Sequence, residues 1–303
     1  MTARVWIGPL AALLLAPIAQ GLVTRVKSVV AGRSGPPLLQ PWRDLAKLLG
    51  KGAVYSDTTT VVFRAGPVAS LAGVLGALLL LPSLGQRAPV AFAGDLVLLV
   101  LLLAAVRFAT VLAALDTGSS FEGMGASRET TFSVLVEPAL LLCLATLARG
   151  TESLSLSEMA GPQAGHAWLV MGASRALLLA SLFVLLLAEN SRVPVDDPST
   201  HLELTMIHEV MVLDHSGPDL AFFEYAAALK LWLFAVLLVG IAFPAGTGNS
   251  LADAAIFLAG IGCVCVAVGL LESTMARLQL PRVPQLLLGA TVLSAFGLVL
   301  TLR

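Results

Sequence analysis

The sequence predicts an all-α, polytopic membrane protein, and three observations lead to this class. Of the 303 residues, 57% are hydrophobic and only 12% are charged, whereas about a quarter of a soluble domain is charged. The mean hydropathy is +0.92. The apolar residues also fall in runs of about 20, the length that a helix needs to cross a bilayer. We therefore expect a single membrane domain over residues 1–303.

Eight apolar runs are present, and we predict one transmembrane helix for each. They are 4–24, 65–84, 93–115, 133–149, 167–188, 224–244, 253–272 and 286–302. The first run follows Arg4 and so resembles a secretion signal. Pro9 and Pro17 interrupt it, however, and no small-residue cleavage site follows it cleanly. We therefore expect it to be retained as the first helix.

The distribution of basic residues predicts the orientation of these helices. The connections on one side carry 11 of the 18 Lys and Arg residues, and those on the other side carry four. Because cytoplasmic loops are enriched in Lys and Arg, we expect both termini to face outward. The long loops expected in the cytoplasm are 25–64, 116–132, 189–223 and 273–285. The functional surface is therefore expected on that side.

The composition argues against nucleic-acid binding and against redox centres in this chain. The net charge is −1, and the sequence has no basic cluster interleaved with aromatic residues, which a nucleic-acid groove requires. Cys143, Cys263 and Cys265 lie in apolar runs without the spacing of a zinc or iron–sulfur site. We interpret them as buried structural thiols and expect no metal, cofactor or catalytic residue in this chain.

Ionisable residues concentrate in one stretch, ENSRVPVDDPSTHLELTMIHEVMVLDHSG (189–217). Asp197 followed by Pro198 is typical of a helix start and predicts a short helix over about 198–213. Three histidines recur every seven residues: His201, His208 and His215. In a helix this spacing separates the rings by about 10 Å, too far for one metal ion. We interpret them as surface or interface residues.

Further ionisable residues lie within or at the edges of the predicted membrane helices. They are Arg107, Glu137, Glu189, Glu224 and Lys230. Charged groups at membrane depth are costly, face protein or water, and commonly mark ion or proton pathways. Buried ion pairs between helices, or caps at helix ends, are the alternative interpretation. Five such residues on four helices favour a polar path through the interior.

Three ordered motifs resemble the complex I subunit 1 family, which includes a membrane subunit of bacterial NADH–quinone oxidoreductases. LAENSRVPVDDPSTHLEL is similar to its E-x-x-R-x-P-x-D-x-P-x-x-x-x-E signature, matched by Glu189, Arg192, Pro194, Asp196, Pro198 and Glu203. LDHSG (213–217) resembles the (T/L)EYSG segment, with Asp214 in the acidic position and His215 in place of tyrosine. GPPLLQPWRDLAKLLGKGA (35–53) resembles the first inner loop.

Other features resemble one branch of this family, the membrane subunits of formate hydrogenlyase and hydrogenase-4. About three more residues separate Glu203 from the acidic-x-Ser-Gly segment than in quinone-linked members. The segments 125–142 and 201–231 are also similar to that branch. These are group 4 nickel–iron hydrogenase complexes.

The resemblance implies a non-catalytic anchor that docks a soluble redox arm and couples it to ion movement across the inner (plasma) membrane. The implied partners are a nickel–iron-hydrogenase-like large subunit, an iron–sulfur small subunit and antiporter-like membrane subunits. The first two would carry the nickel–iron and iron–sulfur centres. The implied docking and loop residues are Arg43, Asp44, Lys47, Arg192 and Asp196. The implied proton path comprises Glu137, Glu189, Glu203, Asp214, Glu224 and Lys230.

Two other functions remain as alternatives. One is a quinone-site subunit of a respiratory dehydrogenase, against which the longer spacing after Glu203 argues. The other, from a different class, is a stand-alone ion transporter. Many transporters carry inverted repeats with helices interrupted near the midplane, and we find no such pair of segments in this sequence.

Overall fold

The chain folds as a helical bundle in the computed structural model, which describes residues 3–160, 164–196, 206–243 and 249–302, without the side chains of 3 and 164–171. Within these ranges there is no strand, and eight helices are long and apolar enough to cross a membrane. They are α1 (Ile7–Val30), α3 (Val61–Leu79), α4 (Asp95–Asp116), α5 (Ser120–Thr151), α7 (Ala164–Glu189), α8 (Gly217–Ala242), α9 (Ser250–Thr274) and α10 (Val283–Thr301). Two are short: α2 (Gln40–Leu49) and α6 (Leu156–Met159). The predicted class and the eight spans are confirmed; the orientation of the termini stays a prediction.

The helix boundaries differ from the predicted ones where polar residues continue a helix. α5 begins at Ser120 rather than 133, so most of the loop expected at 116–132 is helical. One face of its first turns, with Glu122 and Ala126, is buried against the segment 206–212. Gly125 allows the close approach, because a side chain there would meet the Ile207 carbonyl. The helix predicted over 198–213 is wrong for 206–213, which contain only a 3-10 helix, Glu209–Val212. Residues 197–205 lie outside the described part.

α8 occupies the centre of the bundle. It packs against α1, α2, α3, α7 and α9, and its residues from Leu231 to Val236 are all buried. A helix that is apolar on every face is stable only where other helices surround it. The position of α8 therefore follows from its sequence, AAALKLWLFAVLLVGIA.

Serine hydroxyls hold α5, α7 and α10 together inside the membrane. Ser181 Oγ donates to the Ala290 carbonyl at 2.8 Å and lies 2.7 Å from Ser294 Oγ. Cys143 Sγ lies 3.1 Å from the same Ser294 hydroxyl. Polar side chains at such contacts join membrane helices. Cys143 and Cys265 are buried as expected, whereas Cys263 is exposed, which corrects the expectation for that residue.

A proline in α1 exposes a backbone carbonyl that forms a hydrogen bond with α8. Pro17 has no N–H, so the Leu13 carbonyl loses its helical donor. The hydroxyl of Tyr225 on α8 donates to this carbonyl at 2.9 Å. The indole N–H of Trp42 on α2 donates to the adjacent Leu14 carbonyl at 3.1 Å. The bond from Tyr225 satisfies a backbone group that lipid cannot satisfy.

The Tyr225→Phe variant tests this arrangement. It removes the donor to the Leu13 carbonyl, and we expect a loss of about 0.5–1.5 kcal/mol in the free energy of unfolding. In a Pro17→Ala background a backbone N–H becomes available to the same carbonyl, so the loss should shrink. Thermal unfolding of the four proteins of this double-mutant cycle in detergent measures the coupling. Equal losses in both backgrounds would contradict the assignment.

Candidate functional site

Five ionisable side chains meet between α4, α5, α7 and α8, and we call them the membrane charge cluster. They are Arg107, Glu129, Glu137, Glu189 and Lys230. Arg107 lies at the centre: its Nη1 is 2.5 Å from Glu137 Oε1 and its Nε is 3.3 Å from Glu129 Oε1. Its Nη2 pairs with Glu189. The other oxygen of Glu189 is 3.7 Å from Lys230 Nζ.

The cluster lies deep in the bundle. Arg107 is nine residues from the end of α4 at Asp116, which places it about 14 Å from that end at 1.5 Å per residue. Glu189, which contacts Arg107, is the last residue of α7. α7 therefore ends well inside the thickness of the bundle, and the residues that follow it are drawn inward: Val193, Val195 and Asp196 are buried.

A second group of charges, which we call the loop charge network, surrounds this inward segment. It comprises Lys27, Arg192, Asp196, Glu272 and Arg277. The buried Glu272 carboxylate of α9 lies 2.9 Å from Lys27 Nζ and 3.4 Å from Arg192 Nη1. One oxygen of Asp196 is 3.0 Å from Arg277 Nη2. The network therefore ties α1 and α9 to the segment 190–196.

Asp196 also fixes the chain on the far side of the undescribed residues. Its second oxygen accepts hydrogen bonds from the backbone N–H groups of Ile207 and His208 at 3.1 and 3.2 Å. Between Asp196 and Arg107 lies a cavity of about 10 Å³, which Glu129 and Glu189 also line. This is about the room that one water molecule requires. The cavity lies between the two charge groups and can hold a bridging water.

His208 lies near Lys230, beside the membrane charge cluster. The residue is half-buried, but desolvation of its ring, and secondly the charge of Lys230, lowers the pKa of His208 to about 3. The ring is therefore neutral at physiological pH. It places no further positive charge beside Lys230.

His215 fills an aromatic pocket between α3 and α8. Its ring stacks on Phe63 with centroids 3.8 Å apart and meets Phe223 edge-on at 4.8 Å. Neither ring nitrogen has a hydrogen-bond partner among the described residues. Burial lowers the pKa of His215 to about 4. The adjacent Asp214 is exposed, and its N–H donates to the buried Glu122 at 3.2 Å.

The amphipathic helix α2 presents charged residues outward and closes a cavity on its inner side. Arg43, Asp44 and Lys47 are exposed, while Leu45 is buried. The cavity, of about 320 Å³, lies between α1, α2 and α8. Its lining includes Gln20, Thr24, Gln40, Asp44, Leu220 and Glu224. Asp44 and Glu224, assigned to different roles from the sequence, therefore face the same space.

The structure brings some predicted residues together and separates others. Glu137, Glu189 and Lys230 meet in the membrane charge cluster, and Arg192 and Asp196 belong to the loop charge network. Glu224 and Asp214 lie apart from the cluster, and Glu203 falls outside the described residues. Their roles stay predictions. Lys230 pairs with Glu189 rather than with Glu224.

Sequence reasoning missed four members of the two charge groups. These are Glu129, Lys27, Glu272 and Arg277. Glu129 was hidden because α5 was predicted to begin after it, and the other three stood at predicted span ends or in loops. A search for charged residues within three helical turns of each apolar run would have found these four residues. Across the described ranges no group of three His, Cys, Asp or Glu side chains is arranged to hold a metal ion.

Comparison with known proteins identifies the family. Residues 4–302 match the family described as NADH dehydrogenase. The chain belongs to that family. This confirms the resemblance to complex I subunit 1 that the motifs in 35–53 and 189–217 carry.

Two relatives of this NADH dehydrogenase family member come from Escherichia coli (strain K12). Hydrogenase-4 component C is 32% identical over 271 residues, which cover 88% of this chain and 84% of the relative. Formate hydrogenlyase subunit 4 is 31% identical over 278 residues, which cover 90% of this chain and 89% of the relative. The similarity to the hydrogenase branch is thereby confirmed.

The fold also matches a solved structure. A chain of the membrane-bound sulfane sulfur reductase, an archaeal respiratory membrane complex, superimposes with a TM-score of 0.85 over 98% of both chains at 21% identity. At that identity the match establishes the fold. The chain is therefore a multi-pass membrane protein of the NADH dehydrogenase family.

His215 makes the stability of the protein sensitive to acid. The unfolded chain protonates His215 near its ordinary pKa of 6.5 and the folded chain only near 4. Between these values the unfolded state binds more protons, so the free energy of unfolding falls as the pH drops. In the His215→Phe variant, melting temperatures measured between pH 7 and pH 5 should vary less than in the wild type. Part of the slope will remain, because the pKa of His208 shifts in the same direction.

The same variant should also melt at a higher temperature at pH 7. A buried polar group without a hydrogen-bond partner destabilises the folded protein by about 1–3 kcal/mol. Phenylalanine removes this penalty and keeps the stacking on Phe63. Wild-type acid sensitivity together with a lower melting temperature would contradict the buried, neutral assignment of this imidazole.

Proposed function

We propose that the chain is the membrane anchor and ion-coupling subunit of a group 4 hydrogenase or formate hydrogenlyase-like complex. In this proposal it docks a nickel–iron-hydrogenase-like large subunit and an iron–sulfur small subunit, which carry the redox centres. It contacts antiporter-like membrane subunits within the inner (plasma) membrane. The loops with α2 and 190–216 face the cytoplasm, and both termini face outward.

The observation that carries the coupling role is the arrangement around Arg107. Three carboxylates share this guanidinium and one of them also meets Lys230. With three carboxylates and two cations, the cluster carries one excess negative charge when all are ionised. Such a set can accept one proton and release it when a nearby charge changes.

The loop charge network connects this set to the docking side. Asp196 holds the segment 206–212 in place and lines the cavity that also reaches Glu129 and Glu189. A change of charge in a soluble partner bound there would act on these carboxylates through a poorly screened interior. The coupling step is therefore an electrostatic shift of proton occupancy.

Docking is supported by the exposed face of α2 and its flanks. Arg43 and Lys47 are exposed, and Leu39 and Leu49 beside them are about half exposed, at 51% and 53%. Charged residues mixed with exposed apolar ones are typical of a protein–protein interface. This face lies on the same end of the bundle as Asp214.

The Glu189→Gln variant tests coupling. It removes the charge shared by Arg107 and Lys230, so the excess negative charge of the cluster disappears. In inside-out vesicles, hydrogen evolution from a low-potential viologen donor should persist, while proton uptake per turnover falls several-fold. Glu152→Gln, at an exposed residue far from the cluster, is the matched control. Normal proton uptake by an assembled Glu189→Gln complex would refute the coupling role.

The double variant Arg43→Glu and Lys47→Glu tests docking. It reverses two exposed charges without altering the buried side of α2, so the chain should insert normally and lose the soluble arm. The matched control is Arg149→Glu, at an exposed residue near the C-terminal end of α5. This variant should retain the soluble arm. The complexes are purified through a tag on this chain, and gel filtration measures the ratio of the soluble arm to this chain. Full retention by the double variant would place docking elsewhere.

A quinone-site subunit is the second candidate, and the cavity behind α2 favours it. Its volume of about 320 Å³ falls at the lower end of ligand-site volumes, about 300–1,000 Å³. Gln20, Gln40 and Thr24 offer hydrogen bonds to a carbonyl group. A quinone-reductase assay on the intact complex decides between the two candidates.

A further inference from the structure

An exposed strip of α5 leaves a carboxylate uncovered near the middle of the bundle. The Glu137 side chain is 40% exposed, although its partner Arg107 is only 10% exposed. Arg107 lies about 14 Å from the nearer end of α4, within a hydrocarbon layer about 30 Å thick. An ionised group facing lipid at that depth is costly. Either protein or water must therefore cover Glu137.

Pro138 creates a second unmet requirement on the same strip. It lies inside α5 and has no N–H, so the Val134 carbonyl loses its helical donor. Val134 is 66% exposed and Pro138 is exposed as well. In α1 the equivalent carbonyl receives the Tyr225 hydroxyl, whereas no described side chain donates to Val134. Lipid offers no donor to either acceptor.

The surface beside these acceptors has the shape of a helix-binding groove. A depression of about 560 Å³ runs between α4 and α5, lined in part by Leu115, Gly123, Ala126, Ser127, Thr131 and Val134. Small and hydroxyl-bearing residues let two membrane helices approach closely. The Thr131 hydroxyl donates to the Ser127 carbonyl of its own helix at 2.8 Å, so it adds little bulk and no unmet donor to the groove.

We propose that this groove binds a transmembrane helix of a separate integral membrane subunit, which presents a lysine or arginine to Glu137 and the Val134 carbonyl. Charge complementarity favours a basic side chain, because the two exposed groups to be covered are a carboxylate and a backbone carbonyl, and both are acceptors. A basic group also donates to both acceptors at once. This inference rests on the proposed function for the identity of the complex. Within it, Glu137 is the residue through which the membrane charge cluster contacts the neighbouring subunit.

Site-specific cross-linking tests the occupant. Benzoylphenylalanine is placed at Thr131 or Val134, and at the similarly exposed Val292 of α10 (51% exposed) as control, and the intact complex is irradiated in native membranes. The expected product joins this chain to a transmembrane helix of another subunit, with a Lys or Arg within one turn of the cross-linked residue. A product of two copies of this chain, a helix without a basic residue, or lipid adducts alone would each overturn the proposal.

A wedge variant tests the groove independently. Val134→Trp adds bulk at an exposed position and should displace the partner helix, so that the complex purified through this chain loses that subunit. Val292→Trp should keep it. Retention of all membrane subunits by Val134→Trp would overturn the proposed groove. The Glu189→Gln measurement does not depend on this groove, so the coupling role and the groove can fail separately.

Discussion

The guanidinium of Arg107 is the constraint on which the charged interior depends. It holds two carboxylates from α5 and one from α7, and through Glu189 it reaches Lys230 on α8. Removing one partner of a buried ion pair costs about 3–5 kcal/mol because the other charge is left uncompensated. Arg107 contacts three carboxylates at once. The relative positions of α4, α5 and α7 are therefore set by an ionic contact as well as by apolar packing.

This contact explains the inward course of the segment after α7. Glu189 is the last residue of that helix, so reaching Arg107 draws the end of α7 into the bundle. The following residues then enter a poorly hydrated environment with their own charges. Arg192 and Asp196 are neutralised by Glu272 and Arg277, which come from α9 and the segment after it. The density of charge between 189 and 196 is thus a consequence of depth, since each buried charge requires another.

The sequence predicted the architecture better than the charge pairing. Eight apolar runs gave eight helices, because the length of a bilayer-spanning run is a strong physical requirement. Their ends were less certain, because a hydropathy scan stops where polar residues begin, and α5 continues as a helix through Ser127 and Glu129. Glu189 and Lys230 were found as isolated charges in apolar surroundings. The contact between them was not predicted, because it depends on how four helices pack against each other. A local sequence pattern does not contain that information.

The balance of charge between the two groups links the fold to the proposed coupling. The membrane charge cluster has three carboxylates and two cations, and the loop charge network has three cations and two carboxylates. Among these ten named residues, the cluster has one negative charge in excess and the loop charge network has one positive charge in excess. In the proposed coupling, a proton taken up by the cluster neutralises its excess carboxylate and so changes the electric field that acts on the loop charge network. The coupling that we propose would therefore act by electrostatics between the two groups, across the small cavity that Asp196 and Glu189 share.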